Sequence, residues 1–555
     1  MRLTSIGALL LVVGCGGSLQ PISSTPAPAP GAARAPSPEA LAAGAPSSLA
    51  LPPVPLVTGP LTPRVVYPTA NALIQSRDSN FIFGSIGNGN ASLTINGTPV
   101  HVWPNGAYLA WLPVPPADAP RYDLVATLGA DTARLTHSVR LLPPAPSADS
   151  AVRDSLEADS TAADTIPPPA DTVRQRLTVD TSAVFVALGG VPDSVPADTD
   201  RVIIGRPVPR GTYKWFLLPG TVLREVGRDG DFVKVRLDGA LDIWVAASDA
   251  VALPAGATGP VRVVGNARVV PGPDYIDLML PMGARPAYAV EESGSDVILT
   301  LYGTRATTDI INYAGNDPMV RTVEWMQETS DRARYTVHLR QRPFGYLVLW
   351  DNGRFVLRLR RTPAIDSHRP LSGLTIAVDP GHPPIGATGP TGLWEPQATL
   401  WVAERLAAML RERGATVYMT RTTMDPVALG DRPTMARRAN AHLLVSVHLN
   451  ALPDGINPFR AQGSGTYFFH PQAEPLARAV QRGLVARLEL PDHGIFYDNL
   501  ALARPTWMPS ILCEGAFLMM PDQEAGLRTP QFQDAYARGI ADGIEEYFRG
   551  LPADR

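Results

Sequence analysis

Cysteine is almost missing from this chain: Cys15 and Cys513 are the two in 555 residues. A single pair so far apart cannot build a disulfide framework. Lysine is equally scarce, with Lys214 and Lys234 its sole occurrences, so the cationic charge is arginine almost throughout. Formal net charge is only −4 and no basic stripe stands out, so no nucleic-acid partner is expected. The apolar run at residues 6–13 is too short to span a bilayer. These absences exclude a disulfide-stapled domain and a nucleic-acid binder.

What is present starts at the N-terminus. Met1 and Arg2 precede the apolar run, and Val12-Val13-Gly14-Cys15 ends it with small or aliphatic residues leading into a cysteine. This order resembles a bacterial lipoprotein signal. It implies a signal peptide over 1–15, a lipidated Cys15, and a protein exported to the periplasm or cell envelope and anchored to a membrane.

Proline is abundant, at 57 residues, and it clusters. Residues 16–63 and 143–175 are rich in Pro, Ala and Ser with few large apolar side chains, the second stretch also acidic. Both read as flexible linkers. Between them, 64–142 carries short strand signals with Asn96-Gly97 and Asn105-Gly106 turns, as expected for an immunoglobulin-like β-sandwich. Residues 176–258 resemble an SH3-like β module, with a strongly alternating run from Gly230 to Leu237. Residues 259–365 show repeated strand pairs and resemble the targeting domain that precedes some cell-wall amidases. The expected architecture is therefore multidomain, with small all-β modules and linkers ahead of a different C-terminal unit.

That unit, 366–550, alternates strands and helices. Leu374-Thr375-Ile376-Ala377-Val378 and Leu443-Leu444-Val445-Ser446-Val447 are apolar strands of the kind buried on both faces. Leu400, Ala403, Leu406, Ala407 and Leu410 recur at helical spacing. The pattern predicts an α/β open, mostly parallel sheet with helices on both faces. Ligand sites of such sheets gather beyond the carboxyl ends of the strands. His382, His448 and Glu514 each follow an apolar strand at that end, and Glu395 follows a loop containing Gly381, Gly386, Gly389 and Gly392. Two imidazoles and a carboxylate suit a zinc ion with one open position, and a further carboxylate can activate water. Cys513 alternates to the face opposite Glu514 and reads as core.

Several stretches occur together in one order: Asp379-Pro380-Gly381-His382, Gly392-Leu393-Trp394-Glu395, Thr420-Arg421 with Asp425 and Arg432, Ala439-Asn440, Ser446-Val447-His448-Leu449-Asn450, and Met508 through Phe517. On these the C-terminal third resembles the zinc-dependent N-acetylmuramoyl-L-alanine amidases. The resemblance implies one zinc ion on His382, Glu395 and His448, and Glu514 as the catalytic carboxylate. It implies cleavage of the amide between N-acetylmuramic acid and the L-alanine of the stem peptide. Asp379 and Asn450 are candidates for orienting a ligand, and His493 for touching substrate. Peptidoglycan, a membrane through the lipid anchor, and an activator protein are the implied partners. Two alternatives stay open: a zinc peptidase cutting within the stem peptide, and a non-catalytic cell-wall-binding lipoprotein. The chain departs from the family pattern at Pro383-Pro384, Pro396 and Met520.

Overall fold

The computed structural model describes residues 51–142, 184–192 and 202–551. The signal at 1–15 with Cys15, the linker up to residue 50, and the linker at 143–175 lie outside the described residues. Among the described residues, no helix is long and apolar enough to cross a membrane.

Residues 51–63 are not a free tether. Val57 N–H donates to Pro104 O at 2.9 Å and Thr62 N–H to Ile86 O at 2.9 Å, so the segment lies against the first β unit. That unit pairs a three-stranded sheet with a four-stranded one. Ile82, Leu93, Tyr108 and Leu124, drawn from both sheets, share one core. Phe81-Ile82-Phe83 does not alternate apolar with polar, and all three side chains are buried. Ile82 faces the sandwich core, whereas Phe81 and Phe83 pack with Phe517, Met519 and Met520 of the C-terminal unit. A continuous apolar run of this kind belongs to a strand covered on both faces.

Two further β units follow. One holds a five-stranded antiparallel sheet built around Val222–Asp229 and Phe232–Asp238. The next stacks a five-stranded and a four-stranded sheet over a common core that includes Leu278, Leu299, Tyr335 and Leu357.

The C-terminal unit contains β1 (Thr375–Pro380), α1 (Glu395–Glu412), β2 (Thr416–Met419), α2 (Asp431–Arg438), β3 (Leu443–Asn450), β4 (Ser464–Phe468), α3 (Glu474–Leu488), β5 (Asp492–Tyr497), β6 (Ser510–Phe517), α4 (Pro521–Leu527) and α5 (Pro530–Arg549). The sheet order is β2-β1-β3-β6-β4-β5. Four pairings are parallel, and β4 runs antiparallel to β6. The sheet is therefore mixed, with β4 and β5 reversed relative to the rest.

Both faces carry helix, as expected, but the coverage is unequal. α1, α3 and α5 cover one face, with Val402, Leu406, Leu484, Phe532 and Ile540 packed on Val378, Val447 and Cys513. The other face meets only α2, through Ala436, together with Leu502, Trp507 and Met508 from the segment before β6. Tyr275 and Leu347 of the preceding β unit pack against that cluster. Arg360, 2% exposed, ties the two units by donating to Ala441 O at 2.6 Å and to Asn440 Oδ1 at 3.1 Å. A neighbouring β unit thus takes the place that further helices would fill.

Candidate metal centre

β1, β3 and β6 are parallel neighbours, so their carboxyl ends deliver side chains to one place. His448 on β3 and Glu514 on β6 are register partners. His382 lies two residues beyond β1, in a left-handed conformation at φ 58°. Glu395 opens α1, where the partial positive charge of the helix N-terminus favours a carboxylate. Pro396 at the helix start costs little, because its missing N–H has no partner within the helix.

Glu395 sits between the two imidazoles. Its Oε2 lies 3.2 Å from His382 Nε2 and its Oε1 lies 3.3 Å from His448 Nδ1. Each oxygen also accepts a backbone N–H, Oε2 from Ala387 at 3.0 Å and Oε1 from Leu449 at 3.1 Å. Burial pushes the Glu395 carboxyl upward, but hydrogen bonds and charge from His382 and His448 outweigh that and hold it below the ordinary glutamate range. The ligand atoms of His382, Glu395 and His448 lie within 4.8 Å of one another. Two imidazole nitrogens and one carboxylate oxygen at this spacing fit a single divalent cation, leaving a coordination position open.

Glu514 is the fourth member. It is buried, and its Oε2 has no hydrogen-bond partner. Burial, then the charge of Glu395, raises its carboxyl well above the usual value. An unpaired buried carboxylate oxygen is expensive to maintain, so a group aimed at reacting atoms is the economical account of it. Gly465 on reversed β4 pairs with Glu514 and places no side chain beside it.

The loop carrying His382 is held by a buried polar network. Asp379, fully buried, accepts from Thr420 Oγ1 at 2.5 Å, Arg432 Nη1 at 2.9 Å and Ser446 Oγ at 2.6 Å. Arg432 also donates to Pro380 O and His382 O, each at 2.8 Å. Arg421 reaches Pro380 O at 2.9 Å, Gly381 O at 2.8 Å and Pro396 O at 2.8 Å, joining that loop to the start of α1. Asp379 therefore works through the backbone of the loop rather than through a ligand ring. Gly381 must be glycine, because a Cβ there would fall 2.5 Å from His448 Cε1.

The other sequence candidates fall as follows. Asn450 closes β3 and its carbonyl accepts from Leu518 N–H at 3.3 Å. His493 is the second residue of β5, with its ring 5.6 Å from the ring of Phe517. Cys513 is fully buried in the helix-side core, where burial pushes its thiol up. Two supporting residues carry no sequence signal of their own. Glu524 is fully buried and accepts from Thr391 N–H at 2.8 Å and Leu393 N–H at 2.9 Å, ordering the loop ahead of Glu395. Tyr536 accepts from Gly515 N–H at 2.7 Å, and its hydroxyl lies 2.9 Å from both His448 O and Cys513 O. It bolts β3 to β6 beside the two functional side chains.

A family profile described as N-acetylmuramoyl-L-alanine amidase matches residues 376–546. The chain is 32% identical over 200 residues to the N-acetylmuramoyl-L-alanine amidase LytC of Bacillus subtilis (strain 168), covering 34% of this chain and 39% of that protein. It is 32% identical over 203 residues to the germination-specific N-acetylmuramoyl-L-alanine amidase of the same strain, covering 32% of this chain and 81% of the relative. The solved structure of N-acetylmuramoyl-L-alanine amidase AmiC2 of Nostoc punctiforme is 30% identical at a TM-score of 0.30, covering 32% of this chain and 98% of that one.

Proposed function

The chain belongs to the N-acetylmuramoyl-L-alanine amidase family, and on that premise we propose that it hydrolyses the amide joining N-acetylmuramic acid to the L-alanine of the peptidoglycan stem peptide, with one zinc ion held by His382, Glu395 and His448. The observation that carries this reading is Glu514, a buried carboxylate with a free oxygen, set in register beside a three-residue ligand cluster. Zinc at such a set supplies a Lewis acid and lowers the pKa of water to about 7.

The protein's own groups do the rest. Glu395 accepts two backbone N–H groups and lies beside both imidazoles, so the donor set is fixed before substrate arrives. Glu514 takes the proton of the attacking water and returns it to the departing amine nitrogen of L-alanine. The sequence pattern at 1–15 supports an exported, lipid-anchored protein, which puts the reaction where peptidoglycan is found. An activator protein belongs to the same proposal.

The test is digestion of purified sacculi by the full-length, zinc-loaded protein, followed by mass spectrometry. Intact stem peptides with a free L-alanine amino group are expected. Fragments cut within the stem would overturn the amidase assignment in favour of a peptidase.

A further inference from the structure

The N-terminal β-sandwich lies on the reactive end of the C-terminal sheet, and the topology shows why. β3 ends at Asn450 and β4 begins at Ser464, with β6 between them in the sheet. The 451–463 connection must therefore cross above the end of β6, just past Glu514. Near its start, Leu452 packs with Phe81, Phe83 and Leu109 of the sandwich and with Phe517.

Two residues later the sandwich takes hold of the connection. Asp454 accepts from the Tyr67 hydroxyl at 2.5 Å, Gln75 N–H at 2.7 Å and Asn80 Nδ2 at 2.8 Å. Asn80 is fully buried, and its Oδ1 accepts in turn from Gly455 N–H at 3.1 Å. The far end is tied to the sheet, where Gln523 Nε2 donates to Gln462 Oε1 at 3.0 Å and Ser464 Oγ to Gly515 O at 2.8 Å. Between these fixed ends Ile456 and Phe459 remain 40% and 37% exposed, apolar side chains on the connection that crosses the end of β6.

The second β unit makes its contacts elsewhere. Phe216 packs 6.3 Å from Phe469, and Tyr213 O accepts from Asn499 Nδ2 at 2.8 Å. Because β4 and β5 are reversed, Phe469 and Asn499 follow strand ends remote from Glu514. Among the described residues of these two units, it is the sandwich that grips the reactive end.

We propose that the sandwich is a working part of the substrate site: its grip on Asp454 holds the 451–463 connection so that Ile456 and Phe459 meet the peptidoglycan chain. Asp454 is then a positioning residue for substrate binding. This assignment rests on the amidase reading above. Three donors on one carboxylate form hydrogen bonds of the strong, charge-assisted class. A connection ordered in advance spares substrate binding that ordering cost. Releasing it should raise KM and leave kcat in place.

The experiment uses full-length protein with Asp454→Ala, with the milder Tyr67→Phe, which removes one hydroxyl, and with both together. Hydrogen exchange of the 451–463 amides and the kinetics of stem-peptide release from sacculi are measured in each. Faster exchange, KM raised about tenfold in Asp454→Ala, kcat within about twofold, and a double variant no worse than Asp454→Ala are expected. Exchange that does not change, or faster exchange with unaltered KM, overturns the proposal. If Asp454→Ala does not fold, Tyr67→Phe decides by the same two measurements. A wild-type protein that frees no stem peptide instead overturns the amidase reading.

Discussion

Glu514 stands directly across from His448 on the neighbouring parallel strand, and of the two it is Glu514 that keeps an unpartnered carboxylate oxygen. The pairing places the proposed proton acceptor beside a proposed metal ligand, while His382 and His448 each approach Glu395, at 3.2 and 3.3 Å.

Glu514→Gln keeps the shape and removes the base. Stem-peptide release from sacculi should fall by about 10²–10⁴-fold, while bound zinc stays at one per chain. Metal analysis alongside the digest checks this. Lost zinc would move Glu514 into the ligand set.

His382→Ala, Glu395→Ala and His448→Ala should each lower zinc occupancy well below one per chain. Chelation of the wild-type protein should abolish release, and added zinc should restore it. Glu395→Ala is expected to be the most damaging, because both imidazoles lose their common neighbour. Metal titration of the three variants checks the order.

Arg432→Lys preserves charge but cannot reproduce a planar fork serving Asp379, Pro380 O and His382 O together. Leaving some of those buried acceptors without a donor costs about 1–3 kcal/mol each. We expect a lowered Tm and weaker zinc binding, read by calorimetry and metal titration. An unchanged zinc affinity would show that the His382 loop holds its shape unaided.

Acid should destabilise the C-terminal unit through two histidines remote from the metal cluster. Burial, with the charge of Arg360, holds His442 at about 4, and burial holds His470 at about 4 despite its hydrogen bond to Arg504 O. His442 Nδ1 accepts from Thr375 N–H, a bond that protonation removes. In the unfolded chain both titrate near 6.5. Between 6.5 and 4 the unfolded state binds more protons, so stability falls as pH falls through that window. Each group contributes up to about 3 kcal/mol by pH 4. Denaturant titrations from pH 7 to 4 should show the loss, and His442→Gln should reduce its steepness.

Much of the candidate centre was legible because His382, His448 and Glu514 each follow an apolar strand and Glu395 follows a glycine-bearing loop, patterns that survive without knowledge of packing. The ligand and base candidates His382, Glu395, His448 and Glu514 are the residues that the fold brings together. What covers a strand was not legible. Phe81-Ile82-Phe83 gives no hint that its outer side chains meet Met519 and Met520, more than 400 residues later. β5 carries little strand signal because Asp492, His493 and Gly494 open it, with Gly494 at φ 105°. Tyr536 reads as one apolar position of an amphipathic helix, and only the folded chain shows its hydroxyl reaching His448 O. Glu524, in a seven-residue helix, gave no clue that its carboxylate orders a loop 130 residues earlier.

Leu51 is buried in the helix-side core, and a Cβ on Gly526 would lie 2.9 Å from its Cδ2. Gly526 belongs to α4, which follows β6 at the end where Glu514 sits. Residue 51, where the described residues begin, therefore lies toward the pole of the reactive centre and not at the opposite one. Were Cys15 the anchor proposed above, the attachment would approach from the pole that carries Glu514.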